Sequence, residues 1–105
     1  MDFISAQELK QKLDGSQAIF LLDIRENYER AVCSIPSHHI PMAEVCDRLN
    51  ELPAEGQIVV MCRSGKRAEA LCNLLEKDYR LQGLSVLEGG ITAWAEQIDQ
   101  TLEIN

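Results

Sequence analysis

Three short runs of apolar residues stand out along the chain and predict the strands of a sheet. Residues 18–22 and 58–62 contain no polar side chain, and Leu84–Leu87, in which Ser85 is the one polar residue, predicts a third strand. Apolar runs of this length are typical of strands that are buried on both faces of a parallel sheet. Because ligands bind beyond the carboxyl ends of such strands, we expect Asp23 and Cys62 to lie at a functional edge.

Between these runs, apolar residues recur at helical spacing. Ser5-Ala6-Gln7-Glu8 forms a capping box and predicts a first helix that ends at Asp14-Gly15. Further helical segments are predicted at residues 27–31 (one turn), 42–52, 68–77 and in a short stretch that bears Trp94. A brief extended piece is predicted between Pro36 and Ile40, and Gly89-Gly90 predicts a turn or a close approach to other backbone. Strands that alternate with helices predict an α/β fold, with a central and mainly parallel sheet flanked by helices.

Length and composition limit the class of protein. The chain has 105 residues, of which 46% are apolar and 26% charged, and we expect residues 1–105 to form a single globular domain. The apolar runs are too short to cross a membrane, and the first residues lack the features of a signal peptide, so we expect a cytoplasmic protein. A net charge of −7 argues against nucleic acid as a partner.

The loop that follows the second run carries the candidate chemistry. Cys62 is followed by Arg63, Ser64, Gly65, Lys66 and Arg67, which place three formal positive charges within five residues. A helix begins after this loop, so Cys62 should lie beside unpaired backbone N–H groups at the positive end of a helix dipole. Thiols in such surroundings lose their proton more readily, and we expect Cys62 to be a nucleophilic thiolate.

Less specific interpretations of the same residues stay open. Free cysteine is among the most buried residue types, so Cys62 also fits a packing role at the end of a strand. The loop also fits a solvated segment that is basic by chance. Arg67 also fits a role on the surface of the following helix, and Trp94 fits a core position better than the mouth of a site.

The remaining cysteines and the histidines predict neither disulfides nor a metal site. Cysteines occur at positions 33, 46, 62 and 72, without a Cys-x-x-Cys pair, in a chain that we expect to reside in a reducing compartment. His38 and His39 are adjacent and, if extended, point to opposite faces. We therefore expect no metal and no cofactor, and a packing role for Cys72.

Several segments together resemble the rhodanese family of sulfurtransferases. They are Leu22-Asp23-Ile24-Arg25-Glu26, Ile35-Pro36, Ile40-Pro41, Val60-Met61-Cys62-Arg63-Ser64-Gly65-Lys66-Arg67-Ala68 and Leu87-Glu88-Gly89-Gly90-Ile91 with Trp94. The resemblance spans nearly the whole chain. It implies a three-layer rhodanese-like α/β fold, a catalytic Cys62 that carries a persulfide, and an anion-binding cradle formed by residues 63–67.

The chain also departs from the family pattern. Where many members have Gly-His-Ile-Pro-Gly-Ala, this chain has Cys33-Ser34-Ile35-Pro36-Ser37-His38, which should alter a turn outside the Cys62 loop. Residues 94–99 look most like rhodanese domains that are fused to adenylyltransferases of molybdopterin and thiamin sulfur transfer. The sequence contains no adenylyltransferase portion, so a stand-alone protein and an excised domain both stay open.

These observations favour a thiosulfate sulfurtransferase that moves a sulfane sulfur to a thiophilic acceptor through Cys62. The expected partners are a small anionic donor such as thiosulfate and, as an open alternative, a protein donor or acceptor in a sulfur relay. A cysteine phosphatase is the rival enzyme, but Cys62 and Arg67 form Cys-x4-Arg, one residue shorter than the Cys-x5-Arg loop that surrounds a phosphate. A noncatalytic binding module is disfavoured because Cys62 is present.

Overall fold

Five parallel strands form the central sheet of the protein. The computed structural model describes residues 1–104. The strands are β1 (Asp2–Ile4), β2 (Ile19–Asp23), β3 (His38–His39), β4 (Gln57–Met61) and β5 (Leu84–Leu87), and they lie side by side in the order β1-β5-β4-β2-β3. Every pairing between them is parallel, which confirms the predicted sheet.

Strand β4 lies at the centre of the sheet because its residues tolerate complete burial. Val59, Val60 and Met61 have no exposed surface, and β2 and β5 pair with β4 on either side. A strand that is covered on both faces and both edges needs apolar side chains throughout. Asp23 pairs with Met61, so the ends of β2 and β4 meet at one edge, as the sequence predicts.

The helices are α1 (Ala6–Asp14), α2 (Asn27–Val32), α3 (Lys66–Tyr79) and α4 (Gly90–Gln97). The predicted capping box of α1 is confirmed. The Ser5 hydroxyl accepts a hydrogen bond from the Glu8 N–H at 3.1 Å, and the Glu8 carboxylate accepts one from the Ser5 N–H at 3.1 Å. These two contacts satisfy backbone donors that the helix itself leaves unpaired.

Several predicted bounds differ from the structure. β1 was not predicted, because a segment of three residues is too short to show an alternating pattern. The extended piece predicted between Pro36 and Ile40 is present and forms β3, although its pairing with the sheet was not predicted. The helix predicted over residues 42–52 consists of two 3₁₀ helices, Met42–Asp47 and Leu49–Glu51. Arg48 separates them with φ −128° and ψ 28°, which is not a helical conformation.

Two apolar clusters cover the two faces of the sheet, so the protein has three layers. On one face, Leu71 and Leu75 of α3 pack with Val45 of the first 3₁₀ helix. On the other face, Leu9 of α1 packs with Trp94 of α4. Trp94 is only 7% exposed, which confirms its core position. Within residues 1–104, no helix combines the length and the apolar character that a membrane span requires.

Gly90 allows α4 to begin directly against the end of β4. Its φ is +58°, and a Cβ atom there would lie 2.3 Å from the Cys62 carbonyl oxygen and 2.5 Å from that of Arg63. Both neighbours are backbone atoms, so a side chain at this position cannot be accommodated by a rotamer change. Gly56 also has a positive φ, +94°, but a Cβ there would meet nothing within 4 Å.

We therefore predict that Gly90→Ala lowers the free energy of unfolding by about 3 kcal/mol or more, since it adds a backbone clash to conformational strain. The matched variant Gly56→Ala adds only the strain and should cost about 1–2 kcal/mol. Urea denaturation of both variants measures the difference. Equal losses in the two variants would show that the close approach at Gly90 has no effect on stability.

Candidate active site

Cys62 lies one residue beyond β4, at the start of the loop that leads to α3. Its Sγ accepts a hydrogen bond from the Gly65 backbone N–H at 3.0 Å, so the predicted contact with a loop N–H group is present. Cys62 has no exposed surface and packs within one of the apolar clusters.

Gly65 turns the loop back toward Cys62. Its φ of +100° is a conformation that side-chain-bearing residues rarely adopt. Helix α3 begins at the next residue, Lys66. The positive end of the helix dipole is therefore adjacent to the sulfur of Cys62, and it favours negative charge on that atom.

The amino end of α4 donates hydrogen bonds to the backbone of the same loop. The Ile91 N–H donates to the Cys62 carbonyl at 2.9 Å, and the Thr92 N–H donates to the Arg63 carbonyl at 3.2 Å. The sequence predicted a turn or a close backbone approach at Gly89-Gly90, and the Cys62 loop is the backbone that is approached. These two hydrogen bonds hold carbonyl groups of the loop, while the Gly65 N–H of the same loop donates to the Cys62 Sγ.

The three basic side chains of the loop have different surroundings. Arg67 forms a bidentate ion pair with Glu29 of α2, with hydrogen bonds of 2.7 and 2.9 Å. The side chains of Arg63 and Lys66 are exposed and form no hydrogen bond or ion pair with the residues in 1–104. The cations that remain available to an incoming anion are therefore Arg63 and Lys66, whereas the charge of Arg67 is already balanced.

The Glu29–Arg67 pair affects ionisation as well as geometry. The Arg67 guanidinium lowers the pKa of Glu29 to about 2, and the Glu29 carboxylate raises the pKa of Arg67. Glu29 also accepts a hydrogen bond from the Glu26 N–H at 3.0 Å and so caps α2. One carboxylate thus joins α2 to the first turn of α3, next to the loop. The sequence did not reveal this pairing, because the two residues are 38 positions apart.

Asp23 lies at the same sheet edge but has a structural role. It is fully buried, and its carboxylate accepts hydrogen bonds from Arg25 at 2.9 Å and from Arg30 at 3.0 Å. Arg30 also donates to the Ser37 hydroxyl at 2.9 Å. Ser37 stands where the usual family pattern has a glycine, and its hydroxyl provides a polar contact to the turn that a glycine cannot form.

The four cysteines are free thiols. Cys72 is fully buried on α3, and burial raises the pKa of its thiol to about 12, so it stays protonated and unreactive at neutral pH. His38 binds Glu51 at 2.8 Å, while His39 binds the Arg25 carbonyl at 2.7 Å. The two adjacent histidines therefore have separate partners.

Comparison with known families agrees with this geometry. The profile of the family described as Rhodanese-like domain matches residues 5–97. The chain belongs to this family. A rhodanese-like domain protein from Staphylococcus aureus has the same fold, with a TM-score of 0.84 and 32% identity over 100% of this chain and 99% of that one. The predicted rhodanese-like α/β fold is thus confirmed.

Three relatives of this rhodanese-like domain are named as sulfurtransferases or as a sulfur carrier protein. The chain is 34% identical to the putative sulfurtransferase YtwF of Bacillus subtilis (strain 168), across 87% of each protein. It is 36% identical to the putative sulfur carrier protein YrkF of the same organism, across 82% of this chain and 47% of that protein. The bovine (Bos taurus) adenylyltransferase and sulfurtransferase MOCS3 is 31% identical across 93% of this chain, which spans only 26% of that protein.

The Glu29–Arg67 pair yields a pH-dependent prediction. A carboxylate whose pKa is lowered on folding stabilises the protein above its ordinary pKa, and this contribution is lost as the pH falls toward 2. We expect Glu29→Gln to reduce the free energy of unfolding by about 2 kcal/mol at neutral pH, and by much less near pH 2. Urea denaturation across this pH range measures the difference between the two proteins.

The matched control for this prediction is Glu69→Gln, which changes an exposed carboxylate on the same helix as Arg67. It should alter stability at neutral pH by less than about 0.5 kcal/mol. A Glu29→Gln penalty that stays constant from neutral to acidic pH would contradict an ionic origin of the contact.

Proposed function

We propose that this rhodanese-like domain is a thiosulfate-type sulfurtransferase in which Cys62 carries the transferred sulfur as a persulfide. The observation that carries the proposal is the contact between the Gly65 N–H and the Cys62 Sγ, in a loop whose Arg63 and Lys66 side chains have no ion-pair partner among residues 1–104. This arrangement suits a sulfur atom that bears negative charge. Membership of the family and the sulfurtransferase names of its relatives support the same conclusion.

The first half-reaction loads the cysteine. The thiolate of Cys62 attacks the outer sulfur of thiosulfate, the S–S bond of the donor breaks, and sulfite leaves with the bonding electron pair. Arg63 and Lys66 attract the dianionic donor and stabilise the leaving sulfite. The product is a Cys62 persulfide whose outer sulfur is anionic, and hydrogen bonds from loop N–H groups stabilise this charge.

The second half-reaction returns the enzyme to its starting state. A nucleophilic acceptor, such as a thiolate or cyanide, attacks the outer sulfur of the persulfide, and Cys62 leaves as a thiolate. Neither half-reaction requires a general base, because the attacking and departing groups on the enzyme are both thiolates. This agrees with a site in which both histidines bind groups other than Cys62.

A sulfur relay between proteins is the second candidate for the same chemistry. The relative named as a putative sulfur carrier protein and the adenylyltransferase-fused relatives favour it. Turnover of thiosulfate with cyanide should be compared with sulfur transfer from a persulfide-loaded cysteine desulfurase. Rapid transfer from the desulfurase with negligible thiosulfate turnover would assign the relay role and exclude the thiosulfate enzyme.

The phosphatase alternative is disfavoured by the spacing of Cys62 and Arg67, which is one residue shorter than in a Cys-x5-Arg loop. Arg67 binds Glu29 through two of its five N–H groups, so this pairing alone does not decide between the two enzymes. Hydrolysis of a phosphate ester without any sulfur loading would overturn the sulfurtransferase proposal.

The assignment of Cys62 is tested by treating cysteine variants with thiosulfate. We predict that the wild-type protein gains the mass of one sulfur atom on the peptide that contains Cys62, and that Cys62→Ser gains none. Cys33→Ser, Cys46→Ser and Cys72→Ser are matched controls and should load like the wild type. Intact-protein mass spectrometry with peptide mapping measures the result, and full loading of Cys62→Ser would refute the assignment.

A further inference from the structure

Helix α2 is held in place by polar contacts, since none of its side chains is buried. Arg30 of α2 donates to the Asp23 carboxylate at 3.0 Å. Arg25 donates to the carbonyl of Cys33, directly after the helix, at 2.9 Å. Asp23 and Arg25 are themselves buried, so both contacts attach α2 to the interior of the protein. The helix is thus fixed at the end of β2 by contacts that do not involve Glu29.

The first turn of α3 is attached to α2 through Arg67. Lys66 is exposed and Arg67 is half-buried, and the first fully buried side chain of α3 is that of Ala68. Between α2 and α3, the bidentate Glu29–Arg67 pair is the only hydrogen-bonded contact among residues 1–104. Without this pair, apolar packing would hold α3 only from its second turn onward.

The same turn determines where the Gly65 N–H points. Gly65 caps α3, and its carbonyl accepts a helical hydrogen bond from the Glu69 N–H at 2.9 Å. Arg67 is the second residue of the helix, so a displacement of the helix start at Arg67 also displaces Gly65. The Gly65 N–H lies 3.0 Å from the Cys62 Sγ, and such hydrogen bonds weaken steeply when their alignment is lost.

Arg67 and the sulfur of Cys62 also lie within electrostatic range of each other. The hydrogen-bonded Glu29 carboxylate has the largest part in raising the pKa of Arg67, and the charge of Cys62 raises it further. A contact that fixes Arg67 therefore acts close to the reacting atom.

We propose that Glu29 is a positioning residue for sulfur transfer, which acts through Arg67. The ion pair holds the start of α3 so that the Gly65 N–H stays directed at the Cys62 Sγ. This inference rests on the proposed sulfurtransferase function and assigns a role in it to a residue outside the loop. Glu29 affects the rate of the step at the sulfur, whereas the exposed cations of the loop attract the anionic donor.

The kinetics of loading separate positioning from donor binding. Thiosulfate releases sulfite when it loads Cys62, so single-turnover sulfite release at increasing thiosulfate gives a maximal rate and a half-saturating concentration. We predict that Glu29→Gln lowers the maximal rate about tenfold and leaves the half-saturating concentration nearly unchanged. The loss should be smaller than the roughly 100- to 1,000-fold that follows removal of an oxyanion-hole donor, because the Gly65 N–H is displaced and not removed.

Variants of Arg67 test whether Glu29 acts through this residue. Arg67→Lys keeps the charge but loses the bidentate geometry, and it should also lower the maximal rate. Arg67→Gln should slow loading about as much as Glu29→Gln. The double variant Glu29→Gln/Arg67→Gln should be no slower than either single variant, because both changes remove the same contact. In NMR spectra of the unloaded protein, the Gly65 amide resonance should shift in Glu29→Gln.

Gly56→Ala is the matched control for a general loss of stability. It strains the backbone at a positive φ, and Gly56 precedes β4, at the opposite end of the strand from Cys62. This variant should load sulfur at the wild-type rate and leave the Gly65 amide resonance in place. Circular dichroism checks that all variants fold, and the Arg67→Lys variant measures the same contact if Glu29→Gln does not fold.

The outcomes distinguish this inference from the function on which it rests. An unchanged maximal rate in Glu29→Gln would overturn the positioning role, while sulfur loading of the wild type would still support the sulfurtransferase. Equal slowing in Gly56→Ala, a change confined to the half-saturating concentration, or additive losses in the double variant would also overturn it. Failure of thiosulfate to load wild-type Cys62 would overturn both the inference and the proposed function.

Discussion

The candidate site depends on how the backbone around Cys62 distributes its hydrogen bonds. Helix α4 donates N–H groups to the carbonyl oxygens of Cys62 and Arg63 on one side of the loop. On the other side, the Gly65 N–H donates to Sγ. The loop is thus held through two of its carbonyl groups, while the Gly65 N–H faces the sulfur. The proposed persulfide places negative charge beside this donor.

Paired and unpaired charges have distinct roles at this edge of the sheet. Asp23 binds Arg25 and Arg30 inside the protein, and Glu29 binds Arg67 across α2 and α3. These pairs fix helix positions and add little net charge. Arg63 and Lys66 have no ion-pair partner among residues 1–104, in a domain whose net charge is −7. The loop therefore offers positive charge to an anion that the rest of the domain repels.

Local sequence patterns predicted the parts of the structure that are determined locally. The buried strands, the capping box of α1 and the position of Cys62 at the end of β4 each follow from a few adjacent residues. The edge strand β1 was missed because it is too short for a pattern, and β3 was expected only as an extended piece, not as a strand of the sheet. The segment 42–52 was predicted as one helix, but only 3₁₀ turns form around the break at Arg48.

Contacts between distant segments account for what the sequence did not reveal about the site. Arg67 has the right spacing from Cys62 for an anion-binding loop, yet its partner Glu29 belongs to a helix that only the fold brings near. The double glycine at 89–90 indicated a close approach, but not that the approached backbone is the Cys62 loop.

The central claim is that loop N–H groups hold an anionic outer sulfur on Cys62. Amide NMR spectra of the isotopically labelled protein, recorded before and after thiosulfate treatment, test this most directly. If the claim holds, the Gly65 amide shows one of the largest shifts, and the changes concentrate in residues 62–67. A protein that has gained sulfur on Cys62 by mass spectrometry, yet shows an unmoved Gly65 amide, would contradict it.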